Sequence, residues 1–370
     1  MHNTHFLFLT LRVFSATGGI EKVCRIAGKA LHELSQEGAN KIVKIFSLYD
    51  ESTDINTNYF PASTFKGFGN NRFNFLCAAF KKGVDSHQVI LSHINLLTFG
   101  YIIKLFSPTT KLILIAHGIE VWGILPWWKR KMLLRCDLIL PVSDFTKMKM
   151  ATQNQLPEEK MKVINNCLDP FLSPILHTSK QQQLQHTYGI EANDIVLLTL
   201  TRLASTEKYK GYDLVIQAIH DLKEKLPTIK YLIVGKYDMA EKERLDKMID
   251  RLNLQQQIII TGFIPDEALP SHYNLADLFI MPSQKEGFGI VFIEAMFYGK
   301  PVIAGNMDGS VDALHNGEFG FLVNPTSQQE ITNAIIEVTS NYNKYVPEHA
   351  AVMKYFGFDV YKEKLKEIIE

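Results

Sequence analysis

Two series of short apolar runs, each followed by a longer amphipathic stretch, set the fold class of this chain. The first series runs through residues 5–11, 41–47, 88–92, 111–116 and 138–142, with helix-like stretches at 18–34, 74–83, 96–106 and 127–134. Within 18–34, Ile20, Val23, Cys24, Ala27 and Leu31 recur at helical spacing. The series restarts with apolar runs at 194–201, 230–234, 258–261, 275–281 and 301–304, separated by helical stretches at 211–225, 242–252 and 291–298. Strands that alternate with helices build a parallel sheet covered on both faces. At 370 residues the chain also exceeds the roughly 250–300 residues at which a single hydrophobic core stops growing. The expectation is an α/β protein of two domains. The polar, glutamine-rich stretch 177–186 lacks apolar periodicity and reads as the join, with the boundary near 170–183.

Composition narrows the partners. A formal net charge of zero and a pI of about 7.2 give no bulk attraction to nucleic acid. The cysteines Cys24, Cys77, Cys136 and Cys167 lie far apart, with no zinc-like cluster, and read as small core residues of a reducing compartment. The first apolar run has no basic lead and no cleavage site, so it reads as a buried strand and not a leader. No apolar stretch reaches the roughly 18 residues of a membrane span. The expected location is cytoplasmic. One segment complicates this: 124–135 combines Trp127 and Trp128 with Lys129, Arg130 and Lys131, a composition that can seat a segment on an anionic membrane face. A helix with a solvated basic face reads equally well.

In open parallel sheets, ligands bind beyond the carboxyl ends of the strands. The candidates are therefore the residues that follow each apolar run. Glu286 and Glu294 stand eight residues apart, about 12 Å along a helix, and bracket a glycine-rich helix start. Gly287 and Gly289 leave main-chain N–H groups exposed where the macrodipole favours an anion such as a diphosphate. Arg202 and Lys210 follow one strand and can neutralise a leaving diphosphate; as surface cations they need no function. Gly18 and Gly19 follow the first strand, but the pattern is not G-x-G-x-x-G, which counts against a dinucleotide site. His117 follows the run 111–116, with His93 a weaker candidate of the same kind. Ser143 reads as a cleft residue or as a helix N-cap. Lys236 and Ile264 follow two later strands and can edge a nucleobase.

The segment from Glu286 to Glu294 resembles the E-x7-E motif of the retaining glycosyltransferases of family 4. Arg202, Lys210-Gly211, the pair Gly18-Gly19 and Ala116-His117-Gly118 fit the same family in the same order. The resemblance implies the GT-B fold: two Rossmann-like domains with parallel sheets that face each other across a cleft, at 1–175 and 185–345, the first completed by a C-terminal helix at 350–370. It implies Glu286 on the transferred sugar and Glu294 on the ribose. Gly287, Phe288, Gly289 and Ile290 should lie along sugar and phosphate, Gly18 and above all Gly19 against the diphosphate, and His117 near the sugar. Asp312 stands where the family carries a loop-ordering carboxylate. The implied partners are a nucleotide-sugar donor, UDP-linked for preference and GDP-linked as the other choice, and a saccharide or lipid-linked saccharide acceptor. No metal or cofactor is required.

Three other readings stay open: a nucleotide-sugar epimerase, a noncatalytic nucleotide-sugar-binding partner, and a nicotinamide-dependent oxidoreductase in which Asp50 holds a ribose.

Overall fold

The computed structural model describes residues 4–37, 41–173 and 178–369. The chain divides into two compact units, Met1–Pro170 with Phe356–Glu370, and Phe171–Tyr355.

The first unit holds six parallel strands, β1 (Thr4–Thr10), β2 (Lys41–Ser47), β3 (Phe65–Gly67), β4 (Gln88–Leu91), β5 (Lys111–Ala116) and β6 (Leu138–Pro141), in the order β3-β2-β1-β4-β5-β6. Leu7, Phe8 and Leu9 of β1 are fully buried, as a central strand covered on both faces requires. The second unit holds β7 (Ile195–Leu200), β8 (Ile229–Val234), β9 (Ile258–Gly262), β10 (Leu278–Met281), β11 (Val302–Gly305) and β12 (Phe321–Val323), in the order β12-β11-β10-β7-β8-β9. Counted from the first strand of each unit, both sheets run 3-2-1-4-5-6, the Rossmann order. That order reverses between the first and fourth strands, so each unit has a switch point, at β1/β4 and at β7/β10.

Three elements differ from the sequence reading. The glutamine-rich join folds as a helix, Thr178–Tyr188. Glutamine is a good helix former, and Tyr188 anchors the helix by donating its hydroxyl to His272 Nε2 at 2.9 Å. His272 Nδ1 faces the Ala268 carbonyl at 2.8 Å, so Nδ1 carries the proton and Nε2 accepts. Residues 174–177, inside the expected boundary, lie outside the described residues. The C-terminal stretch is two helices, His349–Phe356 and Phe358–Ile369. The second packs on the helix Gly19–Glu37 in the first unit, with Lys362 within 3.2 Å of Glu33 and 3.0 Å of Glu37. The edge strands β3 and β12, three residues each, carry too short an apolar signal to be read in advance.

Candidate active site

At the switch point of the second unit, the loops after β7 and β10 are joined by main-chain contacts. Gly211 has φ +82°, and a Cβ there would collide with the Pro282 carbonyl oxygen. Gln284 N–H donates to the Tyr209 carbonyl at 2.8 Å. The Lys-Gly turn is thus pressed onto the end of β10, and only glycine permits it. Lys210 Nζ consequently reaches Glu286 Oε2 at 2.5 Å. Burial alone would depress the Lys210 ammonium; Glu286 beside it outweighs burial and raises its pKa above the ordinary lysine value. The Tyr209 ring lies 5.6 Å from Lys210 Nζ and 5.6 Å from Lys285 Nζ.

Glu286 is fixed through its main chain as well. Its N–H donates to Asp308 Oδ2 at 2.7 Å, and its carbonyl accepts Gly309 N–H at 2.8 Å. Asp308 Oδ1 takes the Ser310 N–H at 2.9 Å. A Cβ on Gly309 would collide with the Gly287 carbonyl oxygen. Burial pushes the Asp308 carboxyl up to about 6. Asp308 thus orders this loop, four residues before Asp312, the carboxylate to which the resemblance gives that role.

From Glu286 the chain turns through Gly289, at φ +88°, into the helix Ile290–Phe297. Phe288, Gly289 and Ile290 are buried and Gly287 is half-buried, so the exposed main-chain N–H expected from the sequence is not found at Gly289, which packs against the Phe292 ring. Glu294 is buried, and one of its oxygens accepts the Tyr273 hydroxyl at 3.0 Å. Tyr273 in turn stacks on Tyr298 at 5.1 Å. Nothing in the sequence pattern pointed to Tyr273.

Arg202 leaves β7 in the same loop as Lys210 but pairs with Glu207 and stays largely exposed. Lys236 is joined to it through the main chain, its carbonyl accepting Leu203 N–H at 2.9 Å, and its side chain is exposed. Gly235, where a Cβ would strike the Thr201 carbonyl, draws the loops after β7 and β8 together. Ile264, just after β9, is half-buried.

In the first unit, His117 Nε2 lies 2.7 Å from the Ser92 carbonyl at the end of β4. A carbonyl only accepts, so Nε2 carries a proton. Glu120 Oε1 accepts the His117 main-chain N–H at 2.6 Å. Gly19 opens the helix Gly19–Glu37 with ordinary φ, and a Cβ there would meet no atom within 4 Å. A Cβ at Gly18 would meet only the Glu21 carboxylate. Ser143 is an N-cap, its hydroxyl accepting Thr146 N–H at 3.1 Å. Asp50 is buried and accepts N–H from Val13 at 2.6 Å and Ser15 at 2.7 Å, and the Ser47 hydroxyl at 2.6 Å. It holds the loop after β1 and has no oxygen left for a ribose, which removes the support for an oxidoreductase.

Residues 180–357, just under half of the chain, match the family described as Glycosyl transferases group 1. Among curated relatives, the chain is 28% identical over 265 residues to the GDP-mannose-dependent alpha-(1-6)-phosphatidylinositol monomannoside mannosyltransferase of Mycolicibacterium smegmatis, covering 67% of this chain and 64% of that enzyme. It is 26% identical to the Alpha-D-kanosaminyltransferase of Streptomyces kanamyceticus, covering 57% of this chain and 53% of that one. The matches thus span less than two thirds of these relatives' own length. Among solved structures, HepE of Anabaena in complex with UDP superposes with a TM-score of 0.81 at 21% identity, over 99% of both chains. WaaG, a glycosyltransferase involved in lipopolysaccharide biosynthesis, gives 0.65 at 16% identity, over 98% of this chain and 99% of that one. The chain is thus a GT-B-fold protein of two Rossmann-like units, the second of which is similar to the Glycosyl transferases group 1 family over residues 180–357.

Proposed function

We propose that the chain is a retaining hexosyltransferase. It moves a hexose from a nucleoside-diphosphate sugar to a glycan or lipid-linked saccharide acceptor, in exopolysaccharide, capsule or lipopolysaccharide synthesis. The Lys210–Glu286 pair at the β7/β10 switch point carries this reading, because a glycine-rich helix start follows it at once. An anion at that start meets the half-buried Gly287 main chain, the positive end of the macrodipole and a lysine held in its charged form. That set stabilises a departing diphosphate.

The C1–O bond to the diphosphate breaks first, its charge taken up by Lys210, Arg202 and the amide of Gly287. The acceptor hydroxyl oxygen then bonds to C1 on the same face, and its proton passes to the departing phosphate oxygen. Glu286 orients the sugar hydroxyls, Glu294 the ribose, and Lys236 and Ile264 edge the base. In the first unit, Gly18 and Gly19 are assigned to the diphosphate and His117 to the sugar. The open space over Gly19 supports its assignment, because nothing in the chain's own packing calls for glycine there. No metal takes part.

UDP is the preferred nucleotide, with support from HepE, whose structures include one in complex with UDP-glucose. The GDP-mannose dependence of the mycobacterial relative keeps GDP as the second choice. Trp127, at 76% exposure, and Trp128, at 40%, beside Lys129, Arg130 and Lys131, are assigned to contact with the inner face of the cell membrane.

The test is slow donor hydrolysis without acceptor, followed by proton NMR on UDP-glucose and GDP-mannose. Release of the sugar with its anomeric configuration unchanged supports the reading. Inverted sugar contradicts retention. An epimerised nucleotide sugar identifies an epimerase, and an intact donor that binds without turning over identifies a noncatalytic partner.

A further inference from the structure

The carboxyl end of the first unit's sheet, which bears Gly19 and His117, also opens into a cavity of about 620 Å³ at the β2/β3 edge. Its volume lies in the range of small-molecule sites. The floor is preformed. A Cβ at Gly67 would collide with the main chain of Asp50 and Glu51, and Gly69 and Asn70 are held at φ +52° and +67°. Phe68 is buried beneath and packs edge-on against Phe75 at 5.3 Å. The rim is polar. Asn71 accepts Asn74 N–H at 3.0 Å through its side-chain oxygen, which leaves its amide N–H groups as donors. Lys66 and Lys81 line the cavity, and among the described residues neither makes an ion pair. Glu51 is the single carboxylate in the lining, so two lysines leave it net positive.

Lys66 Nζ lies over the Phe68 ring, 5.1 Å from its centre; amide donors suit the hydroxyls of a sugar, and two ammonium groups outside any ion pair suit an anion. We infer that this cavity is a saccharide subsite for an anionic sugar residue of the acceptor, bearing a carboxylate or a phosphate. The inference rests on the transferase reading for the word acceptor; the binding chemistry stands on the cavity alone.

Cys77 lines the cavity and is exposed, against the core position expected from the sequence, whereas Cys24, Cys136 and Cys167 are buried. Its alkylation by N-ethylmaleimide, followed by mass spectrometry on the full chain, reports occupancy. The probes are a glucuronate-terminated disaccharide, glucose 6-phosphate, maltose and inorganic phosphate, on the wild type and on the Lys66→Ala/Lys81→Ala double variant. A UDP thermal shift runs in parallel on both.

Protection of Cys77 by fivefold or more with the glucuronate disaccharide, with glucose 6-phosphate or with both supports the proposal and tells carboxylate from phosphate. That protection should be lost in the double variant while its UDP shift is kept. Equal protection by maltose, equal protection by inorganic phosphate, no protection at all, or protection that survives in the double variant overturns it. A UDP shift without protection rejects the subsite and leaves the transferase reading standing. Protection without any nucleotide shift keeps the anionic-sugar site and rejects the transferase.

Discussion

Asp308 accepts the main-chain N–H of Glu286 at 2.7 Å. This one bond ties the loop after β11 to the residue that also pairs with Lys210. The Glu286 carboxylate is therefore held from two sides, by its own backbone and by an ammonium.

Asp308→Asn replaces one accepting oxygen with an amide N–H2 that faces an N–H donor. Steady-state kinetics should show kcat reduced about tenfold or more, consistent with roughly 1–3 kcal/mol for a buried donor left unpaired. The UDP dissociation constant should change by less than about threefold, since Asp308 acts through Glu286. A large loss of UDP affinity with kcat unchanged would contradict a positioning role.

The raised Asp308 carboxyl gives activity and stability opposite pH trends. Burial keeps this group protonated in the folded chain up to about pH 6, whereas an unfolded Asp titrates near 3.9. Its contribution to stability is therefore fully present below about pH 4 and is lost as pH rises through about 6. Catalysis should move the other way, because the ionised form is the better acceptor for Glu286 N–H. A pH–rate profile should fall on the acid side near 6, and that limb should shift or vanish in Asp308→Asn.

Lys210→Ala removes the cation from the switch point. Because the Lys210 and Glu286 side chains keep only 14% and 19% exposure, the variant leaves Glu286 largely buried and unpaired, and the melting temperature should fall by several degrees. The ratio kcat/KM should fall by roughly 100-fold or more, the scale of losing one preorganised transition-state contact. A variant with near-wild-type turnover would remove Lys210 from the mechanism.

Gly19→Ala and Gly309→Ala form a contrasting pair. A Cβ at Gly19 is unopposed within the chain, while one at Gly309 strikes the Gly287 carbonyl. Differential scanning fluorimetry should find Gly19→Ala as stable as wild type or slightly more so, because alanine is the better helix former. Gly309→Ala should lose on the order of 1–3 kcal/mol. Donor affinity should fall in both. Unchanged donor affinity in Gly19→Ala would remove the diphosphate assignment.

Much of this was legible in the chain, for identifiable reasons. Buried parallel strands such as Ile195–Leu200 read as continuous apolar runs, and Lys210-Gly211 and Glu286 stand in short local patterns. What escaped depends on distance in sequence. The tie between Asp308 and Glu286 spans 22 residues and that between Tyr273 and Glu294 spans 21, and no periodicity encodes either. The helix Thr178–Tyr188 was missed because its polar residues gave no apolar stripe, and its anchor on His272 lies 84 residues from Tyr188. For Asp50, sequence offered a ligand role that the observed hydrogen bonds replace with a local structural one; for Ser143 it offered both roles, and the N-cap is the one observed.

The most direct test of the central claim is a calorimetric titration of wild type, Lys210→Ala and Glu286→Ala with UDP, GDP, ADP and NAD. Saturable binding of one nucleoside diphosphate, UDP for preference, is expected, weakened about tenfold or more in Lys210→Ala, with no binding of NAD. Binding of NAD alone, or diphosphate binding that is indifferent to the loss of Lys210, would contradict it.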